Sequence, residues 1–175
     1  MSDTTIYSTE IKSQYYTIKF NVEQSTDYEY SLGITVYDSI GSIVFLSTVP
    51  GRYAYRLYDI LCYIEQIDGA YYRQENGSSQ LSIAVFPKPL LFQNKCVQIC
   101  VIKDMDTEET YFSIGMQEIM TGFFNVVKIP YDTSTDQYSD LISLLYANFI
   151  LRIFAYGTKP SYYFDHIEEF IEKEH

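Results

Sequence analysis

A chain of 175 residues, 47% hydrophobic and carrying a formal net charge of −11, is too apolar to be disordered and long enough to bury about 70% of its unfolded surface as a single domain, 1–175. Its three cysteines are too few and too odd a set for a disulfide-built secreted scaffold, which points to a reducing compartment, the cytoplasm. The acidity weighs against phosphate backbones and anionic membranes, so neither direct nucleic-acid contact nor membrane anchoring is expected from charge.

The first ten residues have neither the basic start nor the apolar run of a secretory signal, and export by that route is not expected. From Gln14 to Val22 the residues Tyr16, Ile18, Phe20 and Val22 alternate with polar neighbours, the period of a half-buried strand. Tyr28 to Val36 repeats the alternation, and D-S-I-G at Asp38 to Gly41 supplies turn chemistry before a strand S-I-V-F-L-S. After Pro50 the period changes. Leu57, Ile60, Leu61, Ile64 and Ile67 follow helical spacing, with Gly69 where a helix would stop.

Past the polar loop R-Q-E-N-G-S-S-Q come four further strand-like runs: L-S-I-A-V-F, C-V-Q-I-C-V-I-K, T-Y-F-S-I-G-M and F-F-N-V-V-K-I. They predict an antiparallel meander. The Thr, Ser and Asp residues of Y-D-T-S-T-D-Q-Y-S-D suit a helix start ahead of the apolar segment Leu141 to Tyr156. That segment holds Asn148 and Arg152 and is shorter than the ~20 residues of a membrane span. A last helix would dock by Phe164, Ile167, Phe170 and Ile171. The expected class is α+β: an antiparallel sheet of about seven strands, built from hairpins, packed with one internal helix and C-terminal helices.

K-D-M-D-T-E-E, Lys103 to Glu109, is the densest run of carboxylates that stands between two strands. Asp104, Asp106, Glu108 and Glu109 could gather round a hard cation, yet the central glycine and the twelfth-position acid of a calcium loop are missing, and no metal is expected. A charged hairpin tip fits the pattern better. His166 and His175 are the only histidines, with no nucleophile elbow, no zinc spacing and no phosphate-cradling glycine loop beside them, so no catalytic residue and no cofactor are expected. Cys96 and Cys100 share a strand face but stand roughly 13 Å apart, too far to bridge.

Charge is unevenly spread. Residues 1–50 sum to −4, residues 51–103 to +2 and residues 104–175 to −9. Tyrosine is the second oddity, with nineteen Tyr and no Trp. Tyr55, Tyr58 and Tyr63 cannot all share the inward face of the first helix, and surface tyrosines mark interfaces. These features together suggest a non-enzymatic acidic module, an inhibitor or immunity protein that occludes a basic protein partner through Asp104, Asp106, Glu108, Glu109, Tyr111, Tyr55 and Tyr58. Two other classes stay open: a small enzyme or ligand-binding protein with an acidic pocket, and a self-assembling viral or cellular component, a homo-oligomer.

Overall fold

The computed structural model describes residues 5–24, 30–69, 72, 75, 77 and 79–151. The expected last helix, with His166 on it, lies outside the described residues, as does most of the loop after the first helix.

Four strands form a first antiparallel sheet in the order β1-β2-β3-β4: β1 Ser8–Lys12, β2 Tyr16–Gln24, β3 Tyr30–Asp38 and β4 Ile43–Pro50. Alternation decides which face each residue takes. Ile18 and Phe20 of β2, Leu32, Ile34 and Val36 of β3, and Phe45 and Val49 of β4 are buried on one side, while Thr17, Lys19 and Asn21 turn outward, as period two requires. The Asp38 carboxylate closes the β3–β4 turn by accepting from the backbone N–H groups of Ile40 (3.1 Å) and Ser42 (2.9 Å), and Gly41 takes the positive φ of 87° that the tight turn needs.

Helix α1, Gly51–Gln66, follows β4 directly. Its stripe of Ala54, Leu57, Ile60, Leu61 and Ile64 is buried, the spacing of an amphipathic helix that faces the core. Gly51 has a steric reason to be glycine: a Cβ there would stand 2.8 Å from the backbone carbonyl oxygen of Tyr30 and 3.4 Å from the Phe149 ring. Backbone cannot rotate away as a side chain can. Gly51→Ala is therefore expected to lose about 1–3 kcal/mol of stability despite alanine's better helix propensity, measurable by urea denaturation.

Five strands form the second sheet: β5 Gln80–Ala84, β6 Leu90–Phe92, β7 Lys95–Asp104, β8 Thr110–Glu118 and β9 Phe124–Tyr131. Its order is β5-β7-β8-β9, with β6 also paired to β7. Strand β7 thus serves two short neighbours, β5 along residues 100–104 and β6 along residues 95–97. Between them the Gln98 amide takes the place of a strand, accepting from Phe86 N (3.1 Å) and donating to Phe86 O (2.9 Å).

The expected single sheet of about seven strands is therefore corrected to two sheets of four and five strands. Their inner faces meet in a shared apolar core, with Phe20 against Phe112 (5.7 Å between ring centroids) and Phe45 against Phe92 (5.6 Å). Helix α2, Asp136–Leu145, and a π-helical turn, Tyr146–Ile150, pack beside β1 and α1. Thr135 caps α2 by accepting from Tyr138 N. Asn148, buried in the π-helical turn, donates to the carbonyls of Leu144 and Ile6, both at 2.9 Å.

Many tyrosines sit at the rim of this core with the ring inside and the hydroxyl on a polar partner. Tyr131 and Tyr138 stack at 5.5 Å with ring planes 3° apart, and the Tyr138 hydroxyl donates to Glu65 Oε2 at 3.0 Å. Burial and then the Glu65 carboxylate push the Tyr138 phenol well above its ordinary range. No helix among the described residues is long and apolar enough to cross a membrane.

Candidate functional site

The β7–β8 loop uses one of its carboxylates to brace itself. Asp104 Oδ1 accepts from Asp106 N (2.8 Å) and Thr107 N (3.2 Å). Backbone bonds run from Asp104 N to Glu109 O and from Glu108 N to Asp104 O. Glu108 takes a positive φ of 62° to make the turn, and Glu109 pairs with Lys128 at 3.5 Å. Among the described residues no group of His, Cys, Asp or Glu is placed to hold a metal ion.

Tyr111, one residue past the start of β8, receives a hydrogen bond from Gln80 Nε2 at 2.8 Å and lies under Lys128 Nζ, 4.2 Å from the ring centroid. Tyr55 and Tyr58 stand elsewhere, on α1. Tyr55 meets Phe149 edge-on at 6.3 Å and Tyr58 packs against Tyr146 at 5.9 Å. Burial first, and the neighbouring Cys62 second, push the Tyr58 hydroxyl up to about 12. The seven residues singled out by sequence thus fall into two groups, five at the β7–β8 loop and two on the helix.

A different surface emerges from the strand register. Facing away from the core, Leu91, Cys96, Gln117 and Phe124 form one row across the second sheet. Gln98, Gly115 and Val126 form the next, then Ala84, Cys100, Ser113 and Lys128, then Ser82, Ile102, Tyr111 and Pro130. A shallow groove of about 340 Å³ runs over this face, lined in part by Ser82, Cys96, Gln98, Ser113, Gln117 and Phe124. Gly115 lets the Phe124 ring lie against the sheet, since a Cβ there would come within 3.2 Å of that ring. None of the groove's lining residues is a carboxylate. Asp104 and Glu109 stand at one end beside Tyr111, and Glu118 stands at the other beside Lys95.

No protein-family model matches the sequence, and no curated protein matches it. Among solved structures, that of WHY3 from Arabidopsis thaliana superposes with a TM-score of 0.50 at 10% identity, over 89% of this chain and 96% of that one. WHY1 from the same plant gives 0.49 at 11% identity, over 100% and 99%, and the plant transcriptional regulator PBF-2 gives 0.49 at 7%, over 96% and 99%. What is shared with WHY3 is the fold.

Two expectations are corrected at this point. The inhibitor or immunity-protein reading, with its basic protein partner, rested on size and charge, and it does not stand beside a chain folded like WHY3. Of the four carboxylates meant to carry it, that of Asp104 is engaged within its own loop and that of Glu109 with Lys128. The exclusion of nucleic acid fails for a physical reason: net charge was applied to every face alike, whereas at physiological salt fields fade within ~8 Å. A groove without carboxylates on an acidic protein is a local environment of its own.

The sequence reading gave the outward half of these strands no role, and so passed over this face. The available signal was the type of residue. Cys96, Gln98 and Cys100 on β7 and Ser113, Gly115 and Gln117 on β8 are small or amide-bearing at positions where a plain solvent face carries Lys, Glu and Thr.

Proposed function

We propose that this chain binds single-stranded nucleic acid on the outer face of its second sheet, without enzymatic activity. The observation that supports this most is the groove itself: exposed Phe124 offers a stacking surface and Gln117 and Ser113 offer hydrogen-bonding groups, with no carboxylate among the lining residues, while Lys128 at its margin would exchange its pair with Glu109 and its place over the Tyr111 ring for a phosphate. Splayed bases stack on aromatic side chains projecting from an open sheet, at about 1–3 kcal/mol per base. A duplex hides those base faces, and this flat surface presents no helix to a major groove. The protein acts as one domain in the cytoplasm, where its three thiols, none of them in a disulfide, stay reduced.

Such a site leans on stacking more than on charge. The slope of log affinity against log salt should be shallow, roughly −0.7 to −1.5, as for one or two phosphate contacts on a single strand. Fluorescence anisotropy with a labelled oligothymidine and the matching duplex tests the reading. Phe124→Ala should weaken single-strand binding about 5- to 100-fold, and the duplex should bind less well than the single strand. Absence of single-strand binding at low salt, or binding indifferent to both Phe124→Ala and Lys128→Glu, defeats the proposal.

A further inference from the structure

We infer that Glu109 is an internal stand-in for phosphate: it holds Lys128, the cation at the groove's margin, until a nucleic-acid strand displaces it, and so sets how tightly this face binds. The inference rests on the nucleic-acid reading and deepens it, because it says which ligands gain from the exchange.

The free protein already contains the contact that a phosphate would make. Lys128 Nζ stands 3.5 Å from a Glu109 carboxylate oxygen and 4.2 Å from the centroid of the Tyr111 ring, an anion on one side and an aromatic face on the other. Strand register explains the second contact. Ser113 pairs with Lys128 and Tyr111 with Pro130, so Tyr111 and Lys128 are diagonal neighbours on one face. Gln80 Nε2 holds the Tyr111 hydroxyl at 2.8 Å. The loop supplies the anion: Asp104 N donates to Glu109 O at 2.9 Å and Glu109 N to Thr107 Oγ1 at 3.2 Å, while Glu108 takes the left-handed backbone, φ 62°, that a side chain rarely adopts. Glu109 therefore leaves a braced turn next to the cation.

Magnitudes decide what the pair does. Both side chains are about half exposed, and an ion pair in that setting contributes a factor of about 1.5–5. A phosphate on the same ammonium contributes the same order, so trading Glu109 for phosphate alone is close to even. A base stacked on Phe124 adds about 5- to 100-fold, and that surplus turns the exchange toward the strand. Chains of phosphate without bases barely compete.

Glu109→Gln keeps the shape and removes the charge. In fluorescence anisotropy at low salt it should strengthen binding of labelled oligothymidine about 2- to 5-fold, and binding of an abasic oligomer of equal length by the same factor. Glu108→Gln, the same charge change one residue away, should leave affinity within about 1.5-fold. In a Lys128→Met background Glu109→Gln should have no effect, since the competitor has lost its cation. An effect that persists there is plain repulsion of the strand and overturns the inference. So does affinity that Glu109→Gln leaves unchanged or lowers, a fall showing a carboxylate that positions Lys128 instead. Should Lys128→Met bind too weakly for comparison, NMR of the Lys128 side chain in the wild-type chain decides: its signal should move when oligothymidine is added, and a signal that stays overturns the inference. Oligothymidine bound by none of these proteins defeats the nucleic-acid reading and this one with it, whereas binding that ignores Glu109 defeats this one alone.

Discussion

Asp59→Asn is expected to stabilise the protein by about 3 kcal/mol at pH 8 and to remove most of the pH dependence of its stability between about pH 4 and pH 8. Asp59 is on the core side of α1, 1% exposed, and its Oδ2 finds no hydrogen-bond partner among the described residues. Burial alone pushes its carboxyl up from 3.8 to about 8. The sign follows from linkage. Below about pH 4 the carboxyl is protonated folded or unfolded and contributes nothing. Between about 4 and 8 the unfolded chain releases the proton while the folded chain keeps it, so stability falls by up to about 1.4 kcal/mol per pH unit, and above about 8 the loss levels off.

The full displacement amounts to roughly 5–6 kcal/mol, but a relaxing structure recovers part of it and a buried amide brings donors of its own to satisfy, at about 1–3 kcal/mol. A net gain of about 3 kcal/mol remains. Tyr58, Tyr131 and Tyr138 are all shifted upward, away from this window, so they do not mask the effect. Urea denaturation of both proteins at pH 5, 7 and 8 provides the measurement. Parallel stability profiles for wild type and variant would mean that Asp59 is solvated or paired after all.

Asp59 also shows where the sequence stops being legible. The helical period of Leu57, Ile60, Leu61 and Ile64 is plain in the letters, and so are the alternation in β2 and β3 and the Asp38–Gly41 turn. Each follows from local rules of period and turn chemistry. Strand β1 was missed because S-T-E-I-K offers one strongly apolar residue, Ile11, and the strand exists by pairing with β2. Strand β6, L-L-F, is three residues long and is held by β7. Alternation assigns faces but not partners, which is why seven runs read as one sheet instead of two.

Charge was misread for a related reason. Counting residues 51–103 as +2 treats Arg56, Asp59 and Lys103 as surface groups, yet all three are buried. Arg56 donates from Nε to Ala84 O at 3.0 Å, and burial lowers its guanidinium below the ordinary arginine range. The surface of the middle of the chain is accordingly less basic than its composition. Five of the thirteen late carboxylates lie in residues 152–175, outside the described region. What a ligand meets is set by which side chains the register brings to one face, and the groove over β7 and β8 is nearly neutral within an acidic chain.

The second large effect is expected at Lys103. Helix α1 ends without a basic residue in its last turn, leaving the negative end of its dipole and its last carbonyls to find partners elsewhere. Lys103 supplies them from the inner face of β7, donating from Nζ to Ile67 O at 2.9 Å and to Ile64 O at 3.4 Å. Removing a buried charge can stabilise a protein when the charge was poorly compensated. Here the compensation is a pair of carbonyls that would themselves be stranded, and hydrogen bonds to charged groups contribute about 1.5–3 kcal/mol. Lys103→Met keeps the aliphatic stem and deletes the ammonium, so the packing of the stem is retained and only the cap is lost. A loss of about 2 kcal/mol is expected in denaturant unfolding, together with faster amide exchange in the last turn of α1 than in its first. Unchanged stability with unchanged exchange would show that the last turn of α1 holds without the ammonium.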